Sequence, residues 1–178
     1  IDRDGRDAVD GTPSGGEDNI VTSIKEMVRA QGAHNNTRFV KGMEEATLSK
    51  AEAKLLIRRI EDVTFPAAYN TDDWESEHIA PTNHDNWTRV PGWNMTEKRR
   101  KSIKNRLGNF LILTASENRE ASNLSWGRKR HIYLRAETPS GNHVRDFINN
   151  NVSPWTPQKI EARTKELANK MRTIWPYT

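Results

Sequence analysis

The sequence predicts an α+β fold, a mostly helical domain around a small ββα unit. Three stretches before residue 66 and one after residue 156 repeat apolar residues at the three- and four-residue spacing of amphipathic helices. Two other stretches have strand character. Trp74 to Ile79 runs into Pro81, and a turn marked by Gly108 leads into an apolar run that ends at Thr114.

Composition narrows the class of protein. The chain has no cysteine, which excludes disulfides, thiolate nucleophiles and cysteine-based zinc sites. No apolar run approaches the roughly 18 residues that cross a bilayer, so we expect a soluble, cytoplasmic protein. Residues 20–178 carry 26 basic and 18 acidic side chains, a net charge of +8. This charge favours a polyanionic partner, although a merely basic surface explains it equally well.

The chain divides into three expected parts. Residues 1–19 are rich in Asp and Gly and predict a flexible acidic linker. Residues 20–70 predict a helical platform without a part in the chemistry, with helices over 20–32, over 37–46, and from a capping box at Ser49 to Pro66. Residues 71–178 form the core, and 20–178 are expected to be one compact domain. Because the chain starts with Ile1, we expect a fragment of a longer protein.

Within the core, helix-start signals mark three more helices. An irregular loop over 82–95 precedes Thr96, which caps a helix with a dense run of cations: Lys98, Arg99, Arg100, Lys101, Lys104 and Arg106. Such a run is either a solvated face or a phosphate-binding surface. One helix capped by Thr114 or Ser116 is expected to end near Arg128, Lys129 and Arg130. Thr156 and Pro157 begin the last helix, which ends at Trp175.

His78 is the first candidate for chemistry, because Pro81 fixes the end of its strand. An imidazole with a pKa near ~6.5 can be neutral and accept a proton from water, although a packed structural histidine is the commoner outcome. Asn109 enters the second strand, and Asn118 enters the following helix nine residues later. This order of strand, strand and helix is the layout of a metal finger.

The motifs around these residues resemble the HNH endonucleases, whose ββα-metal (His-Me) finger has a D/E-H-I-x-P strand, an N-L-x-x-L strand and a His or Asn nine residues on. The corresponding residues are Glu77 to Pro81, Asn109 to Leu113, and Asn118. From residue 20 onward the chain also resembles the C-terminal domain of GmrSD-type modification-dependent restriction enzymes and related phosphorothioate-sensing defence proteins. It shares their S-x-N-x-x-x-S-N helix and terminal I-W-P, at Ser116 to Asn123 and Ile174 to Pro176.

The resemblance implies a metal-dependent DNA endonuclease, nicking or cleaving, from a bacterial anti-phage or restriction protein. His78 would activate water, and Asn109 would hold the loop and orient His78. Asn118 and Glu77 would bind one Mg²⁺ or Mn²⁺. The implied partners are DNA, including modified phage DNA, and an upstream ParB-like nucleotide-hydrolysing domain. Nucleic-acid contacts are expected from Lys98, Arg99, Arg100, Lys101, Lys104, Arg128, Lys129 and Arg130.

Some alternatives stay open at this point. Neighbouring strand residues point to opposite faces, so Glu77 and His78 reach one phosphate only if the strand bends; otherwise Glu77 is a solvent-facing carboxylate. The wider superfamily often has His where this chain has Asn118, which keeps open a nucleic-acid-binding or regulatory module with a degenerate finger. A third reading is an RNA nuclease, in which Trp87 and Trp93 could stack on bases; more often such tryptophans fill a small core.

Overall fold

The computed structural model of the chain describes residues 36–64, 73–81, 87, 90–139, 144–145 and 154–174, together with Thr22 and Glu26. Thr22 and Glu26 are helical, and the rest of the helix expected over 20–32 lies outside the described residues. The expected linker over 1–19, loop residues 82–86 and the end of the chain after residue 174 lie outside them as well.

The described residues form six α-helices and a two-stranded antiparallel sheet, which confirms the predicted α+β class. No helix among them is long and apolar enough to cross a membrane. In chain order the elements are α1 (Asn36–Glu45), α2 (Lys50–Thr64), β1 (Trp74–His78), α3 (Glu97–Lys104), a 3₁₀ turn (Leu107–Asn109), β2 (Phe110–Thr114), α4 (Ala115–Ala121), α5 (Trp126–Arg135) and α6 (Pro157–Ile174).

The predicted helix starts are confirmed by their hydrogen bonds. Ser49 and Glu52 form a reciprocal capping box at α2: the Ser49 amide donates to Glu52 Oε2 at 2.7 Å, and the Glu52 amide donates to Ser49 Oγ at 3.2 Å. Thr96 caps α3, and Thr114 caps α4 in a second capping box. These bonds satisfy amide groups that a helix start otherwise leaves without partners.

The prediction of a single helix after Thr114 is wrong, because the chain forms two helices there, α4 and α5. α4 ends at Ala121, and Ser122 takes a positive φ of 35°. Glycine usually marks such a position, and the sequence has a serine there. Trp126 therefore begins α5 instead of continuing α4.

The sheet lies between two hydrophobic clusters, and this explains why β2 is apolar on both faces. Phe110 and Ile112 pack into a cluster with residues of α1, α2 and α6. Leu111 and Leu113 pack into a second cluster that contains the buried tryptophans Trp87, Trp93, Trp126 and Trp155. Trp87 and Trp93 have no exposed surface, so they fill a core and do not present faces for stacked bases.

Helix α6 holds the turn that leads into β2. Gly108 lies so close to this helix that a Cβ atom there would come within 2.2 Å of the Ile160 carbonyl oxygen. The buried Arg163 guanidinium donates to the Gly108 carbonyl at 2.8 Å and also bonds the Phe110 carbonyl. The Gly108 amide donates to Thr164 Oγ1 at 3.0 Å. These contacts fix the backbone on both sides of Asn109.

Candidate active site

An open cavity of about 360 Å³ brings together His78, Glu77 and Asn118. Its walls come from α2, from the end of β1 and from α4 and α5. The residues that line it are Lys50, Glu77, His78, Pro81, Asn118, Arg119, Ser122, Asn123 and Lys129. The predicted base and both predicted metal ligands therefore share one cavity.

The His78 ring is held on two sides. It packs against Phe110, its partner across the sheet, with ring centroids 4.3 Å apart. Its Nε2 lies 3.1 Å from Asn105 Oδ1, at the C-terminal end of α3. Because the Asn105 oxygen only accepts, Nε2 carries the proton of the neutral ring, and Nδ1 keeps the free lone pair.

Burial makes His78 neutral at physiological pH. The side chain is 8% exposed, and desolvation lowers the pKa of His78 to about 4. The Asn105 hydrogen bond opposes this shift, whereas the positive charges of Lys50, Lys129 and Lys104 add to it. The same positive field that keeps a proton off the ring also attracts a phosphate.

Asn109 clamps the chain immediately after His78. Its Oδ1 accepts from the Ala80 amide at 2.8 Å, and its Nδ2 donates to the carbonyls of Ala80 at 3.0 Å and Lys104 at 2.8 Å. The Asn109 carbonyl accepts from the Ile79 amide at 2.9 Å. Asn109 is fully buried and does not line the cavity. It is therefore placed to position the strand end that carries His78, without contact with a substrate.

Glu77 is anchored through one carboxylate oxygen. Its Oε1 accepts from the ammonium of Lys129 and, at 3.1 Å, from the hydroxyl of Tyr133. The Lys129 ammonium also donates to the His78 carbonyl at 2.8 Å. Burial raises the pKa of Glu77, and Lys129 partly offsets that rise. Among the described residues, Oε2 has no hydrogen-bond partner, so it is the oxygen available to a ligand in the cavity.

The strand geometry allows Glu77 and His78 to line the same cavity. Glu77 pairs with Leu111 and His78 with Phe110, so the two side chains lie on opposite faces, as alternation predicts. β1 ends at His78, and residues 79 and 80 bend. Both side chains, together with Pro81, line the cavity at this end of the strand.

Asn118 is the second ligand candidate, and its amide is also anchored at one end. It lies on α4, and its Nδ2 donates to a carboxylate oxygen of Glu75 on β1. The amide oxygen Oδ1 has no partner among the described residues. Glu77 Oε2 and Asn118 Oδ1 are thus two oxygen atoms without a hydrogen-bond partner in the described part of the chain, on side chains that line one cavity.

This donor set fits a hard divalent cation. Mg²⁺ prefers oxygen ligands and commonly keeps several waters, so one or two protein oxygens suffice. Within the described ranges, no group of three or more His, Cys, Asp or Glu side chains is arranged to hold a metal.

The predicted nucleic-acid contacts lie in different environments. Lys98, Arg99, Lys101 and Arg128 are exposed, and Arg130 is half-buried. Arg100 bonds the Met95 carbonyl, and Lys104 is buried with its ammonium 5.5 Å from the centre of the Trp93 ring. Lys129 is fully buried in its ion pair with Glu77. The exposed cations can meet DNA as they stand, whereas Lys104 and Lys129 act on the site from inside the protein.

Several site residues were not indicated by the sequence reasoning. Lys50 comes from the platform, where no chemistry was expected, and its positive charge acts on Glu77. Arg119 lies next to Asn118 and also lines the cavity. Asn105 was missed because nothing local marks it. Lys129 was predicted as a DNA contact, and its burial did have a signal, because Trp126, Lys129 and Tyr133 follow helical spacing and share the buried face of α5.

The comparisons with known proteins identify a family for the chain. A search of curated proteins and a search of solved structures found no match. The family model of GmrSD restriction endonucleases, C-terminal domain, matches residues 34–170, which include β1, β2, α4 and the whole cavity. The match confirms the resemblance seen in the sequence motifs. The chain belongs to the family of GmrSD restriction endonuclease C-terminal domains.

Proposed function

We propose that this chain is a metal-dependent DNA endonuclease of the HNH (ββα-metal finger) type. The observation that carries the proposal is the shared cavity, where a neutral, doubly held His78 lies beside the free oxygens of Glu77 and Asn118. Membership of the family makes the chain a restriction endonuclease domain whose substrate is DNA. The finger type, the cation and the roles of the residues are our inference.

His78 acts as the general base in this proposal. Its Nδ1 takes a proton from water as the water oxygen bonds to phosphorus and the bond from phosphorus to the 3′ oxygen breaks. Asn105 keeps the proton on Nε2, so the accepting nitrogen stays directed away from α3. Asn109 holds residues 79 and 80 and thereby keeps the ring from shifting with the strand end.

Glu77 and Asn118 are the residues that would hold Mg²⁺ or Mn²⁺. When bound, the cation supplies positive charge to the phosphate and the departing 3′ oxygen. Lys129 and Tyr133 restrain Glu77 through Oε1, so the carboxylate is oriented before any ligand arrives. Lys50 and Arg119 line the same cavity and contact the phosphate that enters it.

Exposed cations on α3 extend the phosphate-binding surface beyond the cavity. Replacing Lys98, Arg99 and Lys101 with glutamine should weaken DNA binding and make the slope of log affinity against log salt less steep by up to ~3, about 0.9 for each lost phosphate contact. A matched control removes three exposed cations of other helices, Lys41, Arg59 and Lys165. An unchanged slope in the α3 variant would show that these cations do not contact DNA phosphates and only form a solvated face.

The wider biological role follows from the family. We propose that the domain acts in the bacterial cytoplasm on modified phage DNA, in a protein whose ParB-like nucleotide-hydrolysing domain governs cleavage. A cation surface that contacts phosphates carries no base sequence information, so this domain is expected to cut with little sequence preference of its own. Selection of the modification would then belong to other parts of such a protein.

A plasmid assay tests the proposal. Supercoiled DNA is incubated with the 178-residue chain and Mg²⁺, Mn²⁺ or EDTA, alongside Asn118→Ala and the surface control Asn169→Ala. We expect nicks or double-strand cuts only with metal, near-complete loss of activity in Asn118→Ala, and full activity in the control. DNA ligase should reseal the nicks, because a departing 3′ oxygen leaves a 3′ hydroxyl and a 5′ phosphate. DNA that is bound but left intact with every metal would favour a nucleic-acid-binding module.

A further inference from the structure

We propose that Glu75 is a positioning residue that turns the Asn118 amide so that its oxygen faces the cation site. The inference rests on the proposed function, in which Asn118 is a ligand of a divalent cation. Glu75 lies on β1 two residues before Glu77 and therefore on the same face of the strand. Its carboxylate accepts a hydrogen bond from Asn118 Nδ2.

The chemistry of the two groups fixes the orientation of the amide. An ionised carboxylate can only accept hydrogen bonds, and an amide end offers one donor group and one acceptor. If the Asn118 amide were turned by half a rotation, two oxygen acceptors would face each other. Contact with Glu75 therefore keeps Nδ2 at the carboxylate and leaves Oδ1 for the cavity, where a hard cation needs an oxygen.

The backbones on both sides of this contact are fixed. Trp74 pairs with Thr114 across the sheet, and the Ala115 amide donates to the Asp73 carbonyl at 2.8 Å. These bonds tie the start of α4 to the start of β1, so Asn118 lies over Glu75. With the backbones held, the orientation of the Asn118 amide depends on the rotation of its side chain, and the hydrogen bond to Glu75 selects one orientation.

An asparagine needs such a partner more than most metal ligands do. Its oxygen and its NH₂ group lie on one planar end, and a half-turn replaces an attractive ligand with a repulsive one. Outer partners of metal ligands typically contribute about 10- to 100-fold in affinity. Glu75 also brings negative charge to a region where Lys50 and Lys129 are positive.

The test is a Mn²⁺ titration of the full 178-residue chain, followed by the electron paramagnetic resonance signal of free Mn²⁺. Glu75→Gln keeps the size of the side chain but replaces an acceptor-only group with an amide that also donates, so its NH₂ group can bond Asn118 Oδ1 and withdraw that oxygen from the cavity. We expect affinity to fall by about 10- to 100-fold. The matched control is Glu120→Gln, which removes one negative charge from α4 and breaks an exposed ion pair with Arg135. Its affinity should stay within about twofold, because distant exposed charges are screened by salt.

A double variant that exchanges the donor and the acceptor of this hydrogen bond should restore Mn²⁺ affinity. In Glu75→Gln combined with Asn118→Asp, the glutamine NH₂ donates to one carboxylate oxygen of the aspartate, and the other oxygen stays free for the cation. Mn²⁺ affinity should recover by at least about tenfold relative to Glu75→Gln alone. Asn118→Asp alone is titrated beside the double variant, because an added carboxylate raises Mn²⁺ affinity by itself. A role of Glu75 in folding alone would not make the recovery in the double variant exceed that gain.

The outcomes separate this inference from the proposed function. An unchanged affinity in Glu75→Gln, or an equal loss in Glu120→Gln, would overturn the positioning role while the unmodified chain still binds Mn²⁺ and cuts DNA. Failure of the double variant to recover affinity would also overturn it. If the unmodified chain binds no Mn²⁺, both the positioning role and the cation role of Asn118 fail.

Discussion

Lys129 offers the sharpest test of how the site is held together, because it is a fully buried cation with two acceptors in the site. Lys129→Met keeps the unbranched apolar stem and removes the ammonium. The substitution deletes the ion pair with Glu77 and the 2.8 Å hydrogen bond to the His78 carbonyl. It leaves the Glu77 carboxylate buried, with the Tyr133 hydroxyl as its remaining hydrogen-bond partner among the described residues.

Removing one partner of a buried ion pair typically costs about 3 to 5 kcal/mol of unfolding free energy. A domain of this kind is stable by about 5 to 15 kcal/mol in total, so Lys129→Met is expected to lower the urea midpoint strongly. Glu77→Gln combined with Lys129→Met removes both charges and should recover about 1 kcal/mol or more relative to Lys129→Met, because paired residues are not additive.

The loss in Lys129→Met should also depend on pH. Burial already raises the pKa of Glu77, and without the ammonium the pKa rises further. A carboxyl with a raised folded-state pKa holds an extra proton in the folded protein, so stability falls as pH rises above the unfolded pKa. The destabilisation should therefore be smaller at pH 5 than at pH 8. Urea unfolding at the two pH values measures this difference.

The control for this prediction is Arg128→Met, the exposed neighbour on the same helix. Its unfolding free energy should stay within about 0.5 kcal/mol of the unmodified chain. Two results would contradict a stabilising role of the buried pair. One is an equally small loss of unfolding free energy in Lys129→Met; the other is a loss in the double variant equal to the sum of the losses in Glu77→Gln and Lys129→Met.

Three further predictions concern the elements around His78. Gly108→Ala should destabilise the protein by about 3 kcal/mol or more, because overpacking costs about 1 to 3 kcal/mol and this Cβ would meet the rigid backbone of α6. Gly127→Ala, at an open helical position, should instead stabilise it by about 0.5 to 1 kcal/mol. Equal urea midpoints for the two variants would contradict this prediction. Asn109→Ala should cost about 2 kcal/mol or more because Ala80 and Lys104 lose buried partners, and an unchanged midpoint would refute the clamp. The His78 ring should titrate by NMR near pH 4. Because its folded pKa lies below the unfolded value of 6.5, stability should rise from pH 4 to 6.5, by about 3 kcal/mol; a ring that titrates near 6.5 would contradict its burial.

Much of the fold could be predicted because its signals are local. The capping box of Ser49 with Glu52, the cap at Thr96 and the Pro157 start each involve residues within one helical turn, and each is found where expected. The division of α4 from α5 was not predictable in this way. It depends on Ser122 at a positive φ, a position that carries no glycine to mark it.

The candidate site could be predicted only in part. Spacing and motif resemblance pointed to His78, Glu77 and Asn118, and the fold brings them to one cavity. The partners of these residues come from distant parts of the chain, such as Lys50 from the platform and Asn105 from the end of α3. Contacts of this kind depend on packing and leave no local pattern.

Lys129 shows how a local pattern can mislead. Between two arginines it resembles one member of an exposed basic cluster, yet helical spacing places it with Trp126 and Tyr133 on the buried face of α5. The cost of burying its charge is offset because the ammonium donates hydrogen bonds to Glu77 and to the His78 carbonyl. Periodicity identified the face, but the buried acceptors became visible only in three dimensions.

The initial rate of plasmid nicking by His78→Ala tests the central claim most directly. A general base contributes about 10²- to 10⁴-fold to such a reaction, so we predict a loss of at least ~100-fold with unchanged Mn²⁺ and DNA binding. His131→Ala, which removes an exposed histidine of α5, should nick at the rate of the unmodified chain. Nicking by His78→Ala at the unmodified rate would contradict the assignment of His78 as the base that activates water.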